Sequence, residues 1–137
     1  MSSVKFIETP NPDQVQPIVD GVVSYGESLV HGNNPIKYAF HLVENEKLIG
    51  GVVGARQYNR FYLSHIWVSK DYRSRGYGSK LLNYCEEKIG SLGCTSIVLE
   101  TLNKKAVDFY LKHGYSPVSE IPEYVQGFNL VHLLKKI

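Results

Sequence analysis

Runs of β-branched and aromatic residues occur in the first half of the chain and predict strands. The runs are Val4–Glu8, Tyr38–Glu44, Lys47–Ala55 and Phe61–Val68, and Asn45-Glu46 turns the second run into the third as a hairpin. Glycines inside the third run predict a bulge or a close approach of two backbones. The fourth run shows little alternation, which predicts a central strand buried on both faces.

Apolar residues at helical spacing predict three helices. The first begins at Asp13, the second ends at the stop signal Gly93, and the third begins at the cap Asn103 and ends at Gly114. The second helix carries an apolar stripe of Leu81, Leu82, Cys85, Ile89 and Leu92. The remaining segments are strands over Thr95–Glu100, Tyr115–Val118 and Phe128–Leu134, and loops over His31–Pro35 and Ile121–Phe128.

Early strands followed by strand–helix–strand connections predict an α/β layered domain with a mixed sheet. The length of 137 residues fits one domain, because domains contain about 100–200 residues. We therefore expect residues 1–137 to form a single domain. A content of 43% hydrophobic and 20% charged residues is typical of a globular protein and excludes a disordered or fibrous chain.

Charge and cysteine content narrow the range of partners. The formal net charge is +2 and no basic run is longer than a pair, which argues against binding to nucleic acid. Two cysteines, Cys85 and Cys94, cannot form a disulfide framework, which indicates a reducing compartment. No apolar stretch reaches the ~20 residues of a membrane span, and Met1–Phe6 lacks the apolar core of a signal peptide. We expect a cytoplasmic protein that binds neither nucleic acid nor membrane.

A glycine-containing loop joins the fourth predicted strand to the second helix. The first N–H groups of a helix have no partner within the helix and lie at the positive end of its dipole. Gly76 and Gly78 lack side chains, so an anion can approach the backbone there. The same segment carries three basic side chains, Arg73, Arg75 and Lys80. These features together suit the binding of a pyrophosphate.

Two common phosphate-binding signatures do not match this loop, because Ser79 and Lys80 stand in the wrong order for a Walker A motif and position 81 is not glycine. The pattern Arg73-x-x-Gly76-x-Gly78 resembles the acetyl-CoA signature of the GNAT N-acetyltransferases. Further on, Asn103 through Tyr115 is similar to a later helix of that family, with its Phe-Tyr-x-Lys-x-Gly-Tyr ending. The resemblance covers positions 38 to 135. It is closest to small, single-domain bacterial acetyltransferases of unassigned substrate.

The resemblance implies the GNAT fold, a central mixed and mostly antiparallel twisted sheet with helices on both faces. It also implies acetyl transfer from acetyl-CoA to a primary amine by direct attack, without a covalent enzyme intermediate. Tyr110 is then the general acid for the leaving thiolate, and Asn103 and Tyr110 both contact the cofactor. The other residues implied for cofactor binding are Ile66, Trp67 and Val68 along the pantetheine arm, and Arg73, Ser74, Arg75, Gly76, Tyr77, Gly78 and Ser79 around the pyrophosphate.

The general base stays open at this point. Several members of the family place a glutamate in the strand before the cofactor loop, and the matching position here is Tyr62, which has no carboxylate. His65 is near in sequence, but simple alternation points its side chain to the face opposite Tyr62. A buried structural role for His65 is an alternative to catalysis. Glu100, at the end of the next strand, and a water relay are the other candidates.

The acceptor amine belongs to a small molecule, a peptide or a protein in this family. The resemblance places its pocket at Tyr25–Tyr38, Tyr58, Tyr62 and the Ile121–Phe128 loop. This rim also carries Glu27, Glu120 and Glu123. Tyrosines and carboxylates suit a cationic amine, although both residue types are common on ordinary surfaces.

The five histidines and two cysteines show no metal-ligand spacing, so we expect no metal site. Cys85 is expected in the core, and His113 is given no role. Each proposed site residue also has an ordinary alternative, as a loop glycine, a solvated arginine or a core tyrosine. For the whole chain, the alternative is a non-catalytic acyl-CoA-binding sensor or interaction module on the same fold. Dimers are frequent among the proteins it resembles, which leaves a homodimer open.

Overall fold

The computed structural model describes residues 1–29 and 35–137, and the chain divides into two compact units, Met1–Asn33 and Asn34–Ile137. The first unit contains helix α1, Pro12–Leu29. Asn11 and Gln14 form a reciprocal capping box, in which each side chain accepts a 3.0 Å hydrogen bond from the other's backbone N–H. This cap explains why the helix begins within one residue of the predicted start.

The predicted strand over Val4–Glu8 is wrong, because these residues adopt no regular structure. A short apolar run becomes a strand only when a neighbour pairs with it, and no strand in the described part of the chain does so. Of the predicted His31–Pro35 loop, residues 31–34 lie outside the described residues.

The second unit is built on a six-stranded sheet in the order β1-β2-β3-β4-β6-β5. All neighbouring strands are antiparallel except β3 and β4, which are parallel. The mixed, mostly antiparallel sheet predicted from the sequence is confirmed. The strands are β1 Ile36–Glu44, β2 Lys47–Gln57, β3 Arg60–Val68, β4 Ser96–Thr101, β5 Ser116–Val125 and β6 Phe128–Lys136.

Two helices of this unit, α2 (Tyr77–Ser91) and α3 (Lys104–Lys112), pack into one core with the sheet. The predicted stripe of α2 is buried at Leu81, Leu82, Cys85 and Ile89, and both predicted stop glycines have the positive φ of a helix C-terminus. None of the helices in the described ranges has the length and hydropathy of a membrane span.

Strand β3 is central, but the prediction that both its faces are buried is wrong. Phe61 and Leu63 are buried, whereas Tyr62 and Trp67 are 42% and 49% exposed. Only one face therefore packs against the core of this unit, and the β-prone composition of the run does not distinguish the two faces.

The glycines of β2 allow neighbouring strands to approach closely, as predicted. A Cβ on Gly50 would lie 2.7 Å from the carbonyl oxygen of Trp67, and one on Gly51 would lie 2.6 Å from that of Phe40. A bulge follows, since Val53 pairs with His65 and Gly54 with Leu63, leaving Ser64 without an opposite residue. The Ser64 hydroxyl donates a 3.0 Å hydrogen bond to the Val53 carbonyl.

The parallel pair β3 and β4 separates part-way along its length. In the described part of the chain, the two strands pair only over Arg60–Tyr62 and Ser96–Val98. Beyond this point Leu63–Val68 and Leu99–Thr101 have no register with each other. A gap therefore opens in the middle of the sheet, between the carboxyl-terminal ends of β3 and β4. The chain continues from these two ends to α2 and α3.

The final hairpin differs from the prediction. Strand β5 continues to Val125, so most of the segment predicted as the Ile121–Phe128 loop is strand, and the turn falls at Gln126 and Gly127. The proline at position 122 suggested a loop, but β5 is an edge strand, and an edge tolerates a residue without an N–H.

Candidate active site

The loop that follows β3 is fixed at its start. Ser69 N–H donates a 2.7 Å hydrogen bond to the Ile49 carbonyl, and a short 3-10 turn covers Lys70–Tyr72. The Nε of Arg73 then donates a 2.9 Å bond to the carbonyl of Val68, which ties the loop back to the end of β3. The guanidinium of Arg75 lies 5.5 Å from the centre of the Tyr72 ring.

The start of α2 exposes backbone donors. Gly76 precedes the helix with φ +83° and no side-chain cap, and Ser74 has φ +60°. The first helical hydrogen bond is that of Lys80 N–H to the Gly76 carbonyl at 3.0 Å. The N–H groups of residues 77–79 therefore precede the first bond of the helix, and its first turn has no acidic residue. This end of the helix suits an anion.

Ser79 is held by a residue that the sequence analysis left without a role. His113 Nδ1 lies 2.8 Å from the Phe109 carbonyl, so this nitrogen donates, and His113 Nε2 lies 3.0 Å from the Ser79 Oγ. In the neutral ring Nε2 accepts a hydrogen bond from the Ser79 hydroxyl, and the backbone N–H of Ser79 takes no part in this contact. No sequence signal marks this contact, because its partners lie on separate helices.

The predicted pantetheine contacts Ile66, Trp67 and Val68 lie on the part of β3 that β4 leaves unpaired. Each still pairs with β2, so the polar groups on the other edge face the gap. Ile66 and Val68 pack against the core, and Trp67 is half-exposed. An extended chain could hydrogen-bond to this edge as an added strand.

Four polar side chains form a row across the sheet beside the gap. Glu100 of β4 lies near the Tyr62 side chain of β3, and its Oε2 lies 2.8 Å from the Nε2 of His132 on β6. His132 Nδ1 lies 2.8 Å from the Oγ of Ser119 on β5. We call Tyr62, Glu100, His132 and Ser119 the polar row. Burial, and then the charge of Glu100, raise the pKa of Tyr62.

The bulge at Ser64 overturns the expected orientation of His65. After the bulge the core-facing positions are Ile66 and Val68, which places His65 and Trp67 on the face of Tyr62 rather than opposite it. His65 is also exposed, so the alternative of a buried structural histidine is wrong. An extra residue reverses the alternation after it, and nothing in the sequence marks its place.

Tyr110 is 4% exposed and packs against Phe109 and Tyr115. Burial raises its pKa to about 12. Among the described residues, no protein group forms a hydrogen bond with the Tyr110 hydroxyl. In the same residues, every side-chain nitrogen or oxygen atom that is inaccessible to solvent has a hydrogen-bond partner. The hydroxyl oxygen must therefore reach open space, where it is free to donate to a ligand.

The sequence comparison decides the family of this chain. A model described as "Acetyltransferase (GNAT) family" matches residues 8–115. The chain belongs to the GNAT family of acetyltransferases. It is 34% identical over 94 residues, or 68% of each chain, to a Blasticidin-S acetyltransferase from Streptomyces morookaense. The expected family and an N-acetyltransferase activity are thereby confirmed at the level of the family.

Solved structures confirm the fold of this GNAT chain. An acetyltransferase from Bacillus cereus ATCC 14579 matches with a TM-score of 0.88 and 26% identity, over 97% of this chain and 98% of that one. An aminoglycoside 6'-N-acetyltransferase complexed with coenzyme A matches with a TM-score of 0.67 and 20% identity, over 95% of this chain and 94% of that one. Both have a sheet flanked by helices in common with it.

Asn103 lies at the start of α3 in this GNAT chain. Its side-chain oxygen accepts a 2.9 Å hydrogen bond from Lys105 N–H, and its own N–H donates a 3.1 Å bond to the Thr101 hydroxyl. The predicted cap is confirmed. The oxygen is thereby occupied, whereas the side-chain NH₂ group takes no part in the cap.

The predicted acceptor rim is only partly described. Tyr25 belongs to the first unit, and the side chain of Glu27 and residues 30–34 lie outside the described part. Tyr58 is half-exposed at the β2–β3 turn. The two glutamates of β5 have local partners, since Glu120 accepts from the Asn129 amide at 3.1 Å and Glu123 from Gly127 N–H at 3.1 Å.

The cysteines have no part in this site. Cys85 is fully buried in the core as predicted, and burial raises the pKa of its thiol to about 12. Cys94 is also buried. In residues 1–29 and 35–137, no three potential metal ligands come together.

Proposed function

We propose that residues 1–137 act as one acetyl-CoA-dependent N-acetyltransferase domain, which moves the acetyl group to a primary amine by direct attack. One observation carries the proposal. The strands β3 and β4 stop pairing after Tyr62 and Val98; β3 leads on to the uncapped start of α2, and the unpaired end of β4 carries the exposed carboxylate of Glu100. The two strands that border the gap thus supply an anion-binding helix start and a proton acceptor.

The cofactor would be held mainly by backbone groups. The N–H groups of residues 77–79 would receive the pyrophosphate, with charge from Arg73 and Arg75. The pantetheine arm would lie along Ile66–Val68 like an added strand, and Asn103 would contact it through its NH₂ group. An aminoglycoside 6'-N-acetyltransferase of the same fold, solved in complex with coenzyme A, supports this cofactor.

We assign the general base to Glu100. Its carboxylate lies just beyond Val98, where β4 leaves β3, and it is half-exposed. A carboxylate there can accept a proton from an incoming ammonium, either directly or through one water. His65 lies on the same face of β3, but it hydrogen-bonds to the neighbouring Ser64 hydroxyl at 3.1 Å rather than to any group of the polar row.

Bond making and breaking then balance as follows. Glu100 takes one proton from the ammonium, the amine nitrogen forms a bond to the acetyl carbon, and the carbon–sulfur bond breaks to release the CoA thiolate. The second proton of the nitrogen passes through solvent to that thiolate, which leaves the amide and the free thiol. Tyr110 would donate its hydroxyl hydrogen bond to that thiolate. Because the pKa of Tyr110 is about 12 and that of a thiol is about 8.5, the hydroxyl stays protonated and stabilises the thiolate chiefly as a donor.

The acceptor is proposed from the relatives' names and the site's charge. One relative is named for blasticidin S and one structure for an aminoglycoside, and both compounds are cationic amines. The exposed Glu100 and the aromatic face of Tyr62 and Trp67 suit a cation. We therefore propose a small cationic amine rather than a protein amine.

The test is release of the CoA thiol from acetyl-CoA with three acceptors: blasticidin S, kanamycin and a peptide with a free amino terminus. Thiol release is followed with a chromogenic thiol reagent, acetylation by mass spectrometry, and reactions without amine set the background. We expect release above background with at least one antibiotic. Binding of acetyl-CoA without release with any amine would favour the non-catalytic acyl-CoA module, and release with the peptide alone would overturn the acceptor class.

A further inference from the structure

The polar row joins residues from four different strands, although the proposed reaction uses only one of them, Glu100, as a base. Glu100 stands opposite His132 in the register of β4 and β6, and His132 stands opposite Ser119 in that of β6 and β5. The pairing of the strands therefore sets the order of the row. This inference rests on the proposed function, because it concerns the same carboxylate.

The distances decide where the proton of the His132 ring lies. An ionised carboxylate only accepts hydrogen bonds, so the 2.8 Å contact of Glu100 Oε2 with His132 Nε2 requires a proton on Nε2. The other ring nitrogen, Nδ1, lies 2.8 Å from the Ser119 Oγ, and a hydroxyl can donate to it. In the neutral ring, Ser119 thus fixes the tautomer that directs an N–H at Glu100.

We propose that His132 is a positioning residue for the general base Glu100, with Ser119 holding its ring in the required tautomer. Glu100 accepts the His132 N–H at 2.8 Å from the side of β6, and Tyr62 lies near it on the side of β3. A donor fixed on a neighbouring strand restrains a carboxylate that would otherwise be free to rotate. Restraint of this kind raises the fraction of molecules in which the carboxylate faces the amine.

Stability alone does not account for this arrangement. The side chains of His132 and Glu100 are 34% and 41% exposed, and exposed ion pairs contribute little to stability. The core residues of the same two strands, Leu133 and Leu99, are buried and belong to the core cluster, whereas His132 and Glu100 do not. Loss of the His132 ring should therefore leave the fold intact.

The kinetic test uses the acceptor with the highest turnover in the panel above. His132→Ala should lower kcat about tenfold and leave the KM for acetyl-CoA within twofold, and His132→Gln, which restores an N–H donor, should recover part of kcat. The double variant His132→Ala/Glu100→Gln should be no slower than Glu100→Gln. His41→Ala, which removes an exposed histidine from β1, is the matched control and should match the wild type.

Unchanged kcat in His132→Ala, or a double variant that is slower than Glu100→Gln by the full His132→Ala factor, would overturn the proposal while leaving the proposed function standing. Absence of turnover in the wild type would instead contradict the proposed function. A second readout does not depend on activity. Long-range ¹H–¹⁵N spectra of the neutral His132 ring should show the proton on Nε2, and a proton on Nδ1 would contradict the positioning role.

Discussion

The proposed cofactor loop, residues 69–79, and the polar row show two ways of building a site in one small sheet. The loop occupies one continuous segment, from the end of β3 to the first turn of α2, and its donors are largely backbone N–H groups. The polar row takes one side chain from each of β3, β4, β5 and β6. A backbone site needs a local conformation, whereas a side-chain row needs the whole sheet in register.

This difference explains why the sequence predicts one part of the site and not the other. A glycine pattern between a strand and a helix is enough to indicate an anion site, because the geometry is local. The row depends on which residues of distant strands stand opposite one another. A shift of one residue in any strand would turn its member to the other face.

The largest effect should come from Glu100→Gln, which tests whether the two regions act separately. We expect kcat to fall about 10²–10³-fold, within the range for loss of a general base, and the Kd for acetyl-CoA to change less than threefold. Steady-state kinetics and calorimetry measure the two quantities. Glu87→Gln, which changes an exposed glutamate of α2 outside the proposed site, is the matched control and should retain activity. An equal loss of binding and turnover in Glu100→Gln would show that the proposed cofactor loop and the polar row do not act separately.

The buried ionisable groups on the core side of the sheet, unlike the exposed polar row, should make the free energy of unfolding depend on pH. Burial raises the pKa of Cys85 and Tyr110 to about 12, and burial and Glu86 raise that of Tyr115. These groups stay protonated in the folded protein after they ionise in the unfolded chain, where their values are 9.0 and 10.0. Their contribution to stability is complete below about pH 9 and is lost as the pH rises towards 12, by at most ~1.4 kcal/mol per pH unit and group.

Urea unfolding between pH 8 and pH 11 measures this loss. The Tyr110→Phe variant should show a shallower decline in the free energy of unfolding above pH 10, because it lacks one ionising group. An unchanged slope in that variant would contradict the assignment of a raised pKa to Tyr110.

A smaller catalytic effect is expected for Tyr110, which we propose as the hydrogen-bond donor to the leaving thiolate. Tyr110→Phe removes one hydrogen-bond donor and should lower kcat about tenfold, with an unchanged Kd for acetyl-CoA. Tyr115→Phe is the control, because its hydroxyl donates to Glu86 at 3.0 Å rather than to open space. That variant should lose stability but not turnover at 25 °C. An unchanged kcat in Tyr110→Phe would end the role proposed for this residue.

The smallest effect is expected for Ser79→Ala, which tests whether the loop binds the phosphate through its backbone. The Ser79 hydroxyl is paired with His113 at 3.0 Å, so Ser79→Ala removes no group that we assign to the phosphate. We expect the Kd for acetyl-CoA to change by less than about threefold, which is roughly 0.65 kcal/mol. A calorimetric Kd raised tenfold or more would show that the side chain, and not the N–H, is the ligand.

Particular residues show which features of the fold and of the site can be predicted from the sequence. The caps at Asn103 and Gly114, the hairpin of β1 and β2 and the mixed sheet follow from local propensity and turn chemistry, and the structure confirms them. The bulge at Ser64 and the length of β5 were missed, because both depend on pairing with a neighbouring strand. The sequence also contains no indication of a role for His132, because that role depends on Glu100, which stands opposite His132 in the pairing of β4 and β6.

The measurement that tests the central claim most directly is calorimetric titration of acetyl-CoA into the wild type, Gly78→Glu and Gly90→Glu. A Cβ on Gly78 would make only ordinary contacts, 3.5 Å from the Phe109 ring, and one on Gly90 would lie 3.8 Å from Ile137, so both variants should fold. We expect micromolar binding to the wild type and Gly90→Glu, and at least a hundredfold weaker binding to Gly78→Glu, whose carboxylate would occupy the helix start. Wild-type affinity in a folded Gly78→Glu variant would show that acetyl-CoA does not bind at the start of α2.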